Sequence, residues 1–134
     1  MTTILAPVSV GELFDKITIL RIKSDRLVSA AQRSNVCHEL SALNQIVALA
    51  KINEAGLKEL VDDLQAINSE LWDIEEGKRR CEAEGVFDAT FIGLARAVYL
   101  KNDRRAAIKR EINRLSGSSI IEEKSHQSPD VCSR

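Results

Sequence analysis

The stretch FDATFIGLARAVYLKNDRRAAIKREINRL, Phe87–Leu115, decides how this chain is read. Leu94, Val98, Ile108, Ile112 and Leu115 fall on one heptad seam, the pattern of a long helix with a single buried stripe. Lys101 and Arg105 occupy that same seam halfway along, and Asn102 lies beside them. A helix that only supported a core would carry Leu or Ile at those places. The inner stripe therefore starts apolar and turns polar. Asp88 caps the start of this helix and Gly117 ends it.

Three further helices precede it. The cleanest heptad run is Leu57, Leu60, Leu64, Ile67, Leu71, Ile74, Lys78 and Cys81, which predicts a helix over Glu54–Glu84, with Asn53 as its cap and Gly85 as a left-handed stop. Val36, Leu40, Leu43, Val47 and Ala50 predict another from Asn35 to Ile52. The first helix starts at Ser9, which stands at capping-box spacing from Glu12, and runs through Leu13, Ile17, Leu20, Ser24 and Leu27 to fade near Ala31–Arg33. Ahead of it, Thr3–Val8 is an extended lead-in, because Pro7 disfavours helix at Ala6.

Four helices with short connections give an all-α, up-down-up-down bundle. At about 1.5 Å per residue the last two helices reach roughly 40 Å and the first roughly 30 Å, so the second hairpin should protrude beyond the first. Ile74, Cys81, Phe87, Phe91 and Leu94 would be left partly uncovered on that protrusion, and apolar surface of this kind marks a partner or a second copy. The helical domain covers residues 1–119. Residues 120–134 form a polar tail in which Ile120 and Ile121 are expected to dock and the last ten or so residues to be disordered.

Composition narrows the function classes. The 134 residues are 44% hydrophobic and 29% charged, which suits one soluble folded domain. A net charge of −1 gives no footprint for nucleic acid on the whole chain. Arg96–Arg114 is a local exception, with seven basic residues against Asp103 and Glu111. Only Tyr99 lies there to stack on a base, so nucleic acid is the least favoured partner. Cys37, Cys81 and Cys132 have neither disulfide nor zinc spacing and fit a reducing cytoplasm. MTTILAPVSV lacks the basic start of a signal peptide, and no apolar run is long enough for a membrane span.

Matching levels across the hairpins sets Asn68 opposite Arg105, with Lys101 and Asn102 opposite Leu71, and brings Ser24 and Arg21 to about the same height. A layer of Arg105, Asn102, Asn68, Arg21 and Ser24 is either a polar layer that fixes register or an anion pocket, since a guanidinium fork beside amides suits a phosphate or carboxylate.

A second candidate is acidic. Glu12-Leu-Phe-Asp15 and Glu70-Leu-Trp-Asp73 each put two carboxylates on one helix face, where a hard cation such as magnesium could be held. The pair resembles, loosely, the metal motif of the all-helical nucleotide pyrophosphohydrolases, which combine an ExxE with an ExxD. Here the first motif lacks its second Glu, and the two stand on the first and third helices. Glu59 and Asp62 share the spacing, so solvated faces explain it as readily. His38 and His126 are isolated, and Trp72 reads as packing at a helix boundary.

Four segments, VSVGELFDKITILRIK, INSELWDIEE, FIGLARAVYLKNDRRAAIKREIN and GSSIIEEKS, resemble a family of small bacterial proteins known only as a domain of unknown function. The resemblance covers about Val8 to Ser125. It implies a bacterial, mostly helical protein with no assigned activity, whose relatives often stand beside glycosyltransferase and surface-polysaccharide genes. The expectation is a non-enzymatic interaction or adaptor protein that forms a homodimer or meets a helical partner. The competing expectation is a binding module or enzyme for a phosphorylated small molecule, such as a nucleotide or sugar nucleotide. No cofactor is required by the first, and magnesium enters only with the second.

Overall fold

The computed structural model describes residues 2–126. Among them are four helices, α1 (Val10–Arg26), α2 (Ala30–Leu49), α3 (Glu54–Glu84) and α4 (Ala89–Ser116), packed as an all-α bundle without a strand. Local chemistry explains the helix ends. Ser9 Oγ accepts from Glu12 N at 3.0 Å, Asn53 Oδ1 from Gly56 N at 3.3 Å, and Asp88 Oδ1 from Thr90 N at 3.0 Å. Gly85 and Gly117 close α3 and α4 with φ of 68° and 69°, the left-handed conformation that side chains resist.

The long helices stand where the heptads put them, but the first boundary moves. α1 ends at Arg26, and α2 begins at Ala30, five residues ahead of the expected Asn35. Ser29 is the reason. Its Oγ accepts from Gln32 N at 3.4 Å, restarting a helix where the first was expected to be fading.

α1 is the spine. It packs on α2, α3 and α4, whereas α2 packs on α1 alone. The core joins Leu13, Phe14 and Ile17 of α1 to Leu57, Val61, Leu64 and Ile67 of α3 and Ile112 of α4, with Val47 entering from the far end of α2. Leu115, read as part of the seam, is exposed, because α4 has already passed the start of α1 there.

Gly11 permits a close approach of α1 to α4. A Cβ at this position would lie 2.6 Å from the Lys109 carbonyl oxygen and 2.9 Å from Asn113 Oδ1. Asn113 Oδ1 also accepts from Gly11 N at 2.7 Å, which fixes the start of α1 against the last turn of α4. Sequence reading passed over Asn113, which is buried beside Ile112; a glycine in the first turn of a helix was the signal for such an approach.

α1 and α3 run parallel, and α1 ends level with Asp73, where Arg26 pairs with that carboxylate and lies 5.8 Å from the centre of the Trp72 ring. α3 continues for eleven residues past Asp73, about 16 Å of helix, with α4 returning beside it. The second hairpin therefore protrudes, as the unequal lengths predict.

The residues after α4 behave differently from expectation. Ile120 and Ile121 do not dock; they are 36% and 54% exposed. Residues 118–124 are instead held by polar contacts to α1 and α4. The expected disorder at the end of the chain, with Pro129 and Cys132, lies mostly outside the described residues.

Two glycines in helices should respond oppositely to the same change. Gly11→Ala should lower unfolding free energy by about 1–3 kcal/mol, since backbone must shift to admit the methyl. Gly93→Ala, with nothing within 4 Å of the new Cβ, should raise it by about 0.5–1 kcal/mol through helix propensity alone. Urea titrations followed by circular dichroism read both.

Candidate functional site

The polar layer exists, and α1 supplies different members from those expected. Asn68, buried on α3, is its hub. Its Nδ2 donates to Asp15 Oδ1 at 2.9 Å and to Thr18 Oγ1 at 3.0 Å, and its Oδ1 accepts from Arg105 Nη1 at 3.3 Å. Thr18 Oγ1 donates in turn to the Asp15 carbonyl at 2.9 Å. Lys109 Nζ lies 2.6 Å from Glu12 Oε2 and 3.9 Å from Asp15 Oδ2. The layer thus runs from Arg105 through Asn68 to Asp15, Lys109 and Glu12 across three helices.

The pairing of Asn68 with Arg105 follows from the tight turn between α3 and α4, which leaves little freedom in their register. Ser24 and Arg21 were expected at the same height and do not join the layer. Because α1 ends at Arg26, its residues at the level of Asn68 are Asp15 and Thr18. Arg21 lines a groove of about 410 Å³ with Phe14, Glu54, Lys58 and Asp62. Asn102 and Ser24 are half-buried and take no part in the network.

Every carboxylate of the two ExxD motifs faces a cation. Glu12 and Asp15 meet Lys109, Glu70 Oε2 lies 2.7 Å from Lys101 Nζ, and Asp73 pairs with Arg26. Those ion pairs offset the negative charge a hard cation would need. Among the described residues no group of three or more His, Cys, Asp or Glu side chains is arranged to hold a metal. The hydrogen bond to Asp73 raises the Arg26 pKa further above its ordinary value, and the one from Arg114 holds Glu111 below the usual carboxylate range.

Four of the seven basic residues in the Arg96–Arg114 span of α4 are paired as well. Lys101 and Lys109 pair with α3 and α1, Arg110 Nη2 lies 3.1 Å from Glu123 Oε2, and Arg114 pairs with Glu111. Arg105 stands apart. It is half-buried, its partner is a neutral amide, and it meets no carboxylate within 4.0 Å among the described residues. His38 and His126 are exposed.

The layer also shows what sequence reading missed. Asp15 was noted as a cation ligand, and Thr18 was not noted at all. Both lie on the face of α1 flanking Leu13 and Ile17, and a threonine three residues after an aspartate on that face is the signal that was there to use.

The hydrogen bonds of Asn68 tie α3 to both α1 and α4. Asn68→Ala should cost about 2–3 kcal/mol, because it strips a buried carboxylate and a buried hydroxyl of their donor. Asp73→Ala, which breaks an exposed pair, should change stability by no more than about 1 kcal/mol. Chemical unfolding of the two variants at equal protein concentration reads the contrast.

Among the described residues no helix is long and apolar enough to cross a membrane. No curated protein and no solved structure matches the chain. A family described as a family of unknown function, DUF6165, matches residues 5–133. With nearly its whole length inside that match, the chain belongs to the DUF6165 family.

Proposed function

We propose that this is a non-enzymatic interaction protein that pairs with a second copy of itself through the projecting α3–α4 hairpin. One observation carries the reading: the hairpin leaves the bundle with apolar side chains uncovered. Phe87 and Ile92 are each 55% exposed and Leu100 is 56% exposed, with Val86 and Tyr99 beside them. Phe91, Leu94, Ile74 and Cys81, which would be core in a covered hairpin, stay half-exposed. Phe87 and Phe91 meet edge to face at the tip, their ring centres 5.3 Å apart.

Charge favours a second copy over an acidic or basic partner. The hairpin carries Glu82, Glu84 and Asp88 at its tip and Arg80 and Arg96 behind them, with Lys78 and Arg79 beside them paired to Glu75. A two-fold that overlaps two such hairpins antiparallel sets the acidic tip of each over the basic belt of the other. The coiled-coil seam of α3 and α4 would then become the core of a four-helix contact. We place this role in a bacterial cytoplasm, where Cys37 and Cys81 remain free thiols. A link to surface-polysaccharide synthesis rests on the family resemblance alone.

A second reading is favoured by Arg105. A half-buried guanidinium with one neutral partner has donors left for a phosphate, and Asn102 lies one turn away on the same helix. The ligand would be a phosphorylated small molecule such as a nucleotide or sugar nucleotide, with magnesium as its counter-ion.

Light scattering after size exclusion should give twice the 14.9 kDa chain mass at tens of micromolar. Ile92→Asp with Leu100→Asp should return it to one chain mass with the helical melt intact. A monomer at every concentration would end the dimer reading. A melting temperature raised by nucleotides or sugar phosphates with magnesium, and no longer raised in Arg105→Ala, would establish the second reading instead.

A further inference from the structure

We infer that residues 118–124 are a strap, held closed by charge across α4 and the start of α1, which opens while the helices stay folded. Its attachments are all polar. Ser118 Oγ accepts from Val10 N at 3.2 Å. Glu122 takes the Ser9 hydroxyl on one oxygen and Asn113 Nδ2, at 3.5 Å, on the other. Glu123 pairs with Arg110 at 3.1 Å, and Lys124 reaches Asp103.

None of the strap's residues belongs to the aliphatic core. Its two large aliphatic side chains are Ile121, 54% exposed, and Ile120, 36% exposed. Beneath it lies a hollow of about 430 Å³ between Ala106, Ala107, Lys109 and Arg110 on one side and Glu122 and Glu123 on the other. A segment packed as core would fill that space. This one bridges it.

Exposed ion pairs weaken with salt, because mobile ions screen them over less than a nanometre, while the aliphatic core of α1, α3 and α4 does not. The strap and the bundle therefore separate under conditions that leave the bundle whole. Opening releases the Ser9 hydroxyl, the Val10 amide, Asn113 Nδ2 and the Arg110 guanidinium onto one surface. At the same time it removes two carboxylates from the basic side of α4. The strap thus supplies Arg110 with a carboxylate that the other helices do not.

Backbone order parameters from ¹⁵N relaxation on the full chain test this. At low salt, residues 119–123 should be close to the rigid value of about 0.85, and in Glu122→Ala with Glu123→Ala they should fall below about 0.6. Raising sodium chloride to about 0.5 M should have the same effect in the unaltered protein. The α1, α3 and α4 values should stay rigid throughout, and the Val10 amide resonance should move. Values below about 0.6 at low salt in the unaltered protein would show that the strap never closes. Rigid values in both high salt and the double variant would show that charge does not hold it. Either result overturns the inference.

Discussion

The buried amide of Asn68 is the contact on which the arrangement of the three central helices depends. The core around it is almost wholly Leu, Ile and Val, which pack well in more than one register. An amide in such a core tolerates only the register that satisfies it. Asp15 and Thr18 take its two donor positions from α1, and Arg105 meets its oxygen from α4. Among the described residues no buried side-chain nitrogen or oxygen is left without a hydrogen bond. Sliding α1 by one turn would break both bonds of the Asn68 amide nitrogen and strip the buried Asp15 carboxylate of a donor, a cost that aliphatic contacts made elsewhere would have to offset.

The rest of the molecule follows from where that layer holds α1. With Asp15 level with Asn68 and Gly11 pressed on Asn113, the short first helix lies against the early half of α3 and the late half of α4. Its far end stops at Asp73. The remaining length of the second hairpin has no third helix to cover it, and α2, packed on α1 alone, does not supply one. One end of the protein is accordingly closed by polar contacts and capped by the segment after α4. The other end is an open two-helix projection with aromatic and aliphatic side chains in solvent.

Parts of this were legible in the residues. The α3 boundaries follow from Asn53, the heptads and Gly85, because a cap, a period and a stop all agree there. The level of Arg105 against Asn68 was readable because a tight turn sets the α3–α4 register. The level of α1 was not, because it hangs on the link between α1 and α2, and Ser29-Ala-Ala-Gln32 was passed over as a restart signal. That shift moved the expected partners of Asn68 from Asp15 and Thr18 to Arg21 and Ser24. The docking of residues 118–124 misled for another reason. Two isoleucines in a polar tail point to apolar burial, yet serine and glutamate satisfy the open amides and cations nearby, and neither isoleucine joins the core.

The central claim is that Asp15 and Asn68 act as one unit in setting the bundle, and a double-mutant cycle measures it. Asp15→Ala, Asn68→Ala and the double variant are compared by equilibrium unfolding in urea. The expected result is a coupling of about 1–3 kcal/mol, with the double variant losing clearly less than the two single losses together. Losses that add to within about 0.5 kcal/mol would contradict the account, because the helices would then be aligned by aliphatic packing alone.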